Sequence, residues 1–266
     1  VSTWTRKQFL YSFMDTLVAS HPNLITKVHI GNSCITGGVS RPAIWVDAGI
    51  HLQASAVWIA NKIASDYGID PSVTSLLGQM DIYLMIVTNP DEYNHMWLKT
   101  CSMNSGSSCR GADPNRNWDA GFGGPGASKD PCCDSYHGPY ANSEVKVKNV
   151  VDLIMGHGNF KSSISMHSYS QLLMYPYGYT CTDVPDKSEL LQSKNSPPSM
   201  TRYQVGSICK IIYQASGGSI DWTYNTGIKY SFAFELRDTG FYGFLLQPTR
   251  SSPLQSSDGH FRSTAS

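Results

Sequence analysis

The stretch Ala43-Ile44-Trp45-Val46-Asp47-Ala48-Gly49-Ile50-His51 runs straight into Leu52-Gln53-Ala54-Ser55-Ala56-Val57-Trp58. An apolar, β-rich run ends at Gly49, a histidine follows, and a helical pattern starts almost at once. Apolar strands that pass directly into amphipathic helices build α/β sheets. Ligands of such sheets gather where the strands end. His51 can reach a metal from there, because neutral imidazole binds zinc well. A single histidine at a strand end is also commonly structural, so the reading turns on its partners.

Outward from that stretch, Gln53 to Asp66 reads as a helix with Val57, Ala60, Ile63 and Ala64 on one face. Upstream, Thr5 to Ala19 has helical spacing, Asn23 to Ile30 alternates as a strand, and Gly31 to Arg41 reads as a loop. Downstream, Met80 to Thr88 is nearly all apolar, the pattern of a strand buried on both faces. Asn89 to Tyr140 is long, polar and Gly-rich, a kind of region that often carries function. Asn142 is placed to cap a helix that runs to about Met155 and stops at Gly156 and Gly158. Ser162 to Met166 is a short strand ending at His167, and Gln171 to Tyr179 is an aromatic loop. Ile208 to Tyr213 is apolar and is broken by Gly217-Gly218, and Lys229 to Leu236 alternates as a strand with Glu235 near its end. The fold class predicted is α/β: a single domain with a mixed central sheet and helices on both faces. That domain spans residues 1–246, and residues 247–266 form a divergent, disordered tail rich in Ser and Pro.

Composition narrows the function. With 266 residues and 41% of them hydrophobic, the chain builds one sizeable core. No run of 18 apolar residues appears, so no membrane span is expected. Twenty basic residues balance twenty acidic ones, which argues against a nucleic-acid partner. No signal peptide is visible, so export has to be inferred. The seven cysteines form no C-x-x-C pair, which makes a cysteine-based zinc ribbon unlikely, and their odd number leaves one over.

Three titratable residues then stand at the ends of apolar strands: His51, His167 and Glu235. Two imidazoles and a carboxylate on converging strand ends bind a metal, or supply a metal and a general base. The competing reading is three satisfied polar groups. The surrounding motifs favour the first. Pro114-Asn115-Arg116-Asn117-Trp118-Asp119-Ala120-Gly121-Phe122, His167-Ser168-Tyr169-Ser170-Gln171-Leu172 and Phe234-Glu235-Leu236-Arg237-Asp238-Thr239-Gly240 resemble the zinc metallocarboxypeptidases of the pancreatic A type. So does Ile212-Tyr213-Gln214-Ala215-Ser216-Gly217-Gly218-Ser219-Ile220-Asp221-Trp222, and the resemblance runs from about Thr5 to Leu246.

The resemblance implies that His51 and His167 are zinc ligands, with one Zn2+ per chain. Asn115 and Arg116 hold the substrate's terminal carboxylate, for which the planar guanidinium is suited. Tyr213 is the mobile tyrosine that covers the substrate, and Tyr169 joins the substrate-binding set. Glu235 is the general base, which takes a proton from water and later passes one to the leaving amine. Asp113 orients a zinc-binding histidine. Ile220 lines the side-chain pocket and favours aromatic or aliphatic C-terminal residues. The partners implied are peptides and proteins with a free C-terminal carboxylate, met by a monomer outside the cell. Bridges Cys109–Cys132 and Cys181–Cys209 are implied too, leaving Cys34, Cys101 and Cys133 over and pointing to an oxidising compartment.

The pattern also breaks. The family reads His-x-x-Glu at its first zinc motif, whereas His51 is followed by Leu52, Gln53 and Ala54, so about five residues and the ligand Glu are lost by this alignment. Gln53 offers only a neutral amide oxygen, a poor substitute for a carboxylate. Leu98 replaces the arginine that stabilises the oxyanion, and Glu92 replaces a glycine. A segment holding the family's second strand is missing between Cys34 and Gly37, which leaves a sheet edge without its ladder partner. Gln192 to Thr201 is short. With codons chosen for Gln247 to Gln255 and one nucleotide restored in front, the shifted frame gives the family's own ending, so a frameshifted tail is expected. Three functions therefore compete: an impaired A-type carboxypeptidase, a non-catalytic binder of peptide C-termini, and the product of a decayed gene.

Overall fold

Ala43 to Asp47 forms the strand that its residues predict, and the rest of the sheet builds outward from it. The computed structural model describes residues 6–28, 30, 40–48, 53–86, 88, 99–192 and 203–236. The elements are α1 (Arg6–Ser20), β1 (Ala43–Asp47), α2 (Gln53–Asp66), α3 (Pro71–Gln79) and β2 (Asp81–Met85), then a 3₁₀ turn (Pro114–Arg116). After it come α4 (Val145–His157), β3 (Phe160–Ser168), β4 (Leu172–Tyr175) and α5 (Lys187–Gln192). The last are β5 (Gln204–Ser207), α6 (Ile208–Ile211), α7 (Ser219–Asn225) and β6 (Tyr230–Leu236). The strands lie in the order β2-β1-β3-β6-β4-β5. The first four run parallel, β4 is antiparallel to β6, and β5 is parallel to β4. This is the mixed α/β sheet that the sequence predicts.

Alternation along the strands sends residues to two covered faces. Ala43, Trp45 and Phe160 pack beneath Val147, Val150, Leu153 and Ile154 of α4 and Trp222 of α7. On the other face, Val46, Met166 and Leu236 meet Ile59 of α2. Leu10 of α1 packs with Ala56, and Met14 and Val57 join them. Each Val, Leu, Ile, Phe or Met side chain among them contributes roughly 1.5–3 kcal/mol when fully buried.

The sequence reading missed α3, although its start carries a clear signal: Asp70 accepts from the N–H of Ser72 at 2.7 Å and Pro71 follows the cap. Asn142 does not cap α4. It adopts φ 59°, and Glu144 is the cap residue, its N–H donating to the Asn117 side chain at 2.9 Å. Gly158, at φ 68°, ends α4 in the left-handed conformation as predicted.

Three other expectations are corrected. Residues 24–28 form no strand, and among the described residues nothing lies beside them to complete a ladder. The strand expected at Met80–Thr88 is the shorter β2; it pairs only with β1 among the described residues and is half-buried throughout, as an edge strand is. The aromatic loop at Gln171–Tyr179 contains β4, with Leu172, Met174 and Tyr175 buried. Cys109–Cys132 and Cys181–Cys209 are bridged, with Cys101 and Cys133 outside these bridges. Cys34, Glu92, most of the short Gln192–Thr201 segment and the tail 247–266 lie outside the described residues. Among the described residues no helix is long and apolar enough to cross a membrane.

Candidate active site

Parallel strands β1, β3 and β6 point the same way; β3 and β6 end together, and β1 ends opposite Ser165. Asp47 stands opposite Ser165, and His167 opposite Glu235. Paired residues of neighbouring strands share a face, and their backbones are about 4.8 Å apart. Asp47, Ser165, His167 and Glu235 therefore project to the side on which α4 packs. There Asp47, Asn115, Ser165, His167 and Ser219 line a cavity of about 40 Å³.

A hydrogen-bonded row runs across the strand ends. Trp45 Nε1 donates to Asp47 Oδ2 at 3.1 Å, and Ser165 Oγ donates to Asp47 Oδ1 at 2.6 Å. The same Oγ lies 3.0 Å from His167 Nε2. Glu235 is unlike its neighbours: its Oε2 is buried without a hydrogen-bond partner among the described residues. Burial alone pushes its carboxyl up to about 8. A buried carboxyl with its proton affinity raised this way is suited to collecting and returning a proton near neutrality.

The carboxylate clamp is built from loops. Asp113 caps the 3₁₀ turn by accepting from the Asn115 N–H at 2.8 Å, which fixes the turn that carries Asn115 and Arg116. Burial raises the Asp113 carboxyl, with Arg116 pulling in the other direction. Arg116 donates from Nε to Gly126 O at 2.9 Å, from Nη1 to Asn115 O at 3.0 Å and from Nη2 to the Tyr213 hydroxyl at 3.3 Å. A guanidinium has five N–H donors, so donors remain for an incoming carboxylate. Asn115 Oδ1 accepts from the Ser219 N–H at 3.4 Å, joining the turn to α7. Ile220 follows, buried with Leu172, Met174 and Ala233.

Close backbone approach holds these loops together. Gly217 has φ 76°, and a Cβ there would lie 2.1 Å from the Arg116 carbonyl oxygen. Its N–H donates to Ala120 O at 2.8 Å, and its carbonyl accepts from the Trp118 N–H at 3.1 Å. Only glycine meets both demands. Asp221 fixes the next turn, accepting from the Gly178 and Tyr179 N–H groups at 2.9 Å, while burial lifts its carboxyl to about 6.

The structure thus brings Asn115 and His167 to one cavity, Arg116 to Tyr213, and Glu235 beside His167. Tyr169 is half-buried, two residues beyond His167. His51 and Leu98 lie outside the described residues. Sequence reasoning missed the Trp45–Asp47–Ser165 row. The one available signal was an acidic residue closing an otherwise apolar strand, and no motif marks Ser165 as its partner.

Zinc accepts imidazole nitrogen and carboxylate oxygen. The described residues fit it on one side: His167 faces the cavity, and Glu235 supplies a buried oxygen in need of a partner. Among the described residues no group of three His, Cys, Asp or Glu side chains is close enough to complete a site.

Residues 10–258 match the zinc carboxypeptidase family. The chain is 58% identical over 264 residues to carboxypeptidase A2 of Rattus norvegicus, covering 89% of this chain and 63% of that protein. It is 55% identical over 271 residues to carboxypeptidase A1 of Bos taurus, covering 92% and 65%. It therefore spans less than two thirds of the length of these relatives. Among solved structures, bovine thrombin-activatable fibrinolysis inhibitor, in complex with tick carboxypeptidase inhibitor, superposes with a TM-score of 0.83 at 36% identity, covering 94% of this chain and 92% of that one. With sequence and fold in agreement, the chain belongs to the zinc carboxypeptidase family.

Proposed function

We propose that this chain is an impaired A-type zinc carboxypeptidase, which recognises a free C-terminal carboxylate behind an apolar side chain and cleaves the last peptide bond slowly. The observation that carries this reading is the Arg116–Tyr213 contact beside Asn115 and the buried Ile220. Arg116 binds the terminal carboxylate in fork geometry, with Asn115 beside it. Tyr213 is 56% exposed, so little packing resists its swinging over a bound peptide. Ile220 gives the side-chain pocket an apolar wall, which selects aromatic and aliphatic residues and leaves Lys and Arg unpaired. Tyr169 borders the peptide side of the site.

Glu235 takes the proton of the attacking water on Oε2 and returns it to the leaving amine. His51 and His167 would hold Zn2+, which when bound polarises the scissile carbonyl and acidifies water. The impairment comes from the sequence: no glutamate follows His51 at the ligand spacing, and Leu98 stands for the oxyanion arginine. Losing one oxyanion donor costs about 10²–10³ in rate. Those same losses favour a second reading, a non-catalytic binder of peptide C-termini. The two disulfides support work outside the cell, and balanced charge supports peptides rather than nucleic acid as the partner.

Release of Phe from a blocked dipeptide, followed with and without a chelator, tests the reading. Slow, chelator-sensitive release is expected. Binding of the dipeptide with no release at any zinc concentration would overturn the catalytic reading in favour of the binder.

A further inference from the structure

Tyr213 sits between two anchors that lead back to one turn. Before it, the Cys209 N–H of α6 donates to Tyr177 O at 2.9 Å, and Cys209 is bridged to Cys181. After it, the Gln214 side-chain amide donates to Tyr179 O at 2.7 Å, and the Ala215 N–H donates to Gly178 O at 2.9 Å. Residues 177–179 thus present three successive carbonyls, one to the chain before Tyr213 and two to the chain after it. The approach is so close that a Cβ on Gly178 would lie 2.9 Å from the Ala215 carbonyl oxygen. Between the anchors, Ile212 and Tyr213 are exposed. The chain at Tyr213 is therefore held at both ends and open in the middle.

Asp221 of α7 holds the turn itself. Its Oδ2 accepts from the N–H groups of Gly178 and Tyr179, each at 2.9 Å, and its Oδ1 also accepts from Gly178, at 3.0 Å. So the turn faces the Tyr213 segment with its carbonyls and one carboxylate with its N–H groups. At 1% exposure Asp221 leaves no room for water to take its place, and a buried backbone N–H left without an acceptor is costly. Burial lifts its carboxyl to about 6, so at neutral pH it is chiefly ionised, and an ionised acceptor makes the stronger bond.

We infer that Asp221 is a positioning residue: through the turn at 177–179 it fixes the pivot from which Tyr213 reaches over a bound peptide C-terminus. Asp221 follows Ile220 directly, so the first turn of α7 carries both the proposed pocket wall and the support of that pivot. The peptide part of this inference rests on the function proposed above; the frame around Tyr213 does not. Because Asp221 is buried and acts at a distance, its effect on affinity has to pass through the Tyr213 side chain.

A double-mutant cycle on the full chain tests this, read as the calorimetric Kd of a short peptide ending in Phe with a free carboxylate. Asp221→Asn keeps the size of the side chain but sets an NH2 group against one of the backbone N–H groups it serves. It should raise Kd by about 10-fold when Tyr213 is present and leave Kd unchanged in the Tyr213→Ala background. Losses that simply add in the double variant overturn the inference, since an aspartate with a merely structural role weakens both backgrounds alike. Amide hydrogen exchange of the peptide-free chain gives the second readout. Asp221→Asn should speed exchange at Cys209 and Ala215, which Asp221 does not touch, together with Gly178 and Tyr179; unchanged protection at the first two overturns the frame. If Asp221→Asn does not fold, the wild type alone decides: the four amides should open as one unit, and Cys209 or Ala215 opening independently of Gly178 and Tyr179 overturns the frame. Joint opening in a chain that binds no peptide upholds the frame and overturns the proposed function instead.

Discussion

The two halves of the site are built differently. The clamp half is made of loops whose backbones lock into each other: Gly217 against Trp118 and Ala120, and Ser216 N–H on Pro125 O at 3.0 Å. The other half is built on the ends of β1, β3 and β6, and by the family resemblance the sequence after β1 lacks the ligand glutamate. Its flank is β2, half-buried along its whole length and at the sheet's edge among the described residues. In the function proposed, recognition of a C-terminus and activation of water fall to separate parts of the chain. The loops of the first are tied to each other by backbone hydrogen bonds, while by the resemblance the second lacks a ligand and an oxyanion donor.

Substitutions that act on one half and spare the other can break this contrast. The largest effect is expected from Glu235→Gln, which should lower the hydrolysis rate by about 10²–10⁴ and leave peptide affinity unchanged, read as kcat beside a calorimetric Kd. If the affinity falls as well, the halves are not separate. Arg116→Ala should act the other way, weakening peptides with a free carboxylate by about 10²–10³ and leaving amidated peptides where they were. Leu98→Arg sharpens the contrast from the damaged side: restoring the donor should raise kcat by about 10² with no change in Kd.

The smallest effect concerns stability. Burial lifts Asp221 to about 6 from 3.8. The folded form therefore keeps a proton that the unfolded form has lost, so this group's contribution is fully present below about pH 4 and is lost as pH rises through 6. At most about 3 kcal/mol is involved. Denaturant titrations of the wild type and Asp221→Asn at pH 4 and pH 7 should show this drift in the wild type alone.

Legibility in the sequence follows the same division. The apolar run of β1, the alternation of β6 and the glycine stop of α4 were readable because period and cap chemistry are local. The residues proposed for the clamp fall in contiguous motifs, 114–122 and 212–222, which a single stretch can display. The Asp47–Ser165–His167 row was not, since it depends on the register between β1 and β3, which no single stretch encodes. The strand expected at Asn23–Ile30 failed for a related reason: alternation describes a segment's preference, and a ladder needs a neighbour to pair with. Asn142 was a plausible cap by residue type, but the side chain that serves the start of α4 belongs to Asn117, 27 residues earlier.

The most direct test of a retained recognition half is calorimetry on the metal-free protein, with one short peptide ending in Phe prepared with a free and with an amidated C-terminus. The account predicts that the free acid binds at least about 30-fold more tightly, the smaller end of what a charged hydrogen-bonded contact supplies, and that Arg116→Ala removes the difference. Equal affinity for the two peptides in the folded wild type would contradict it.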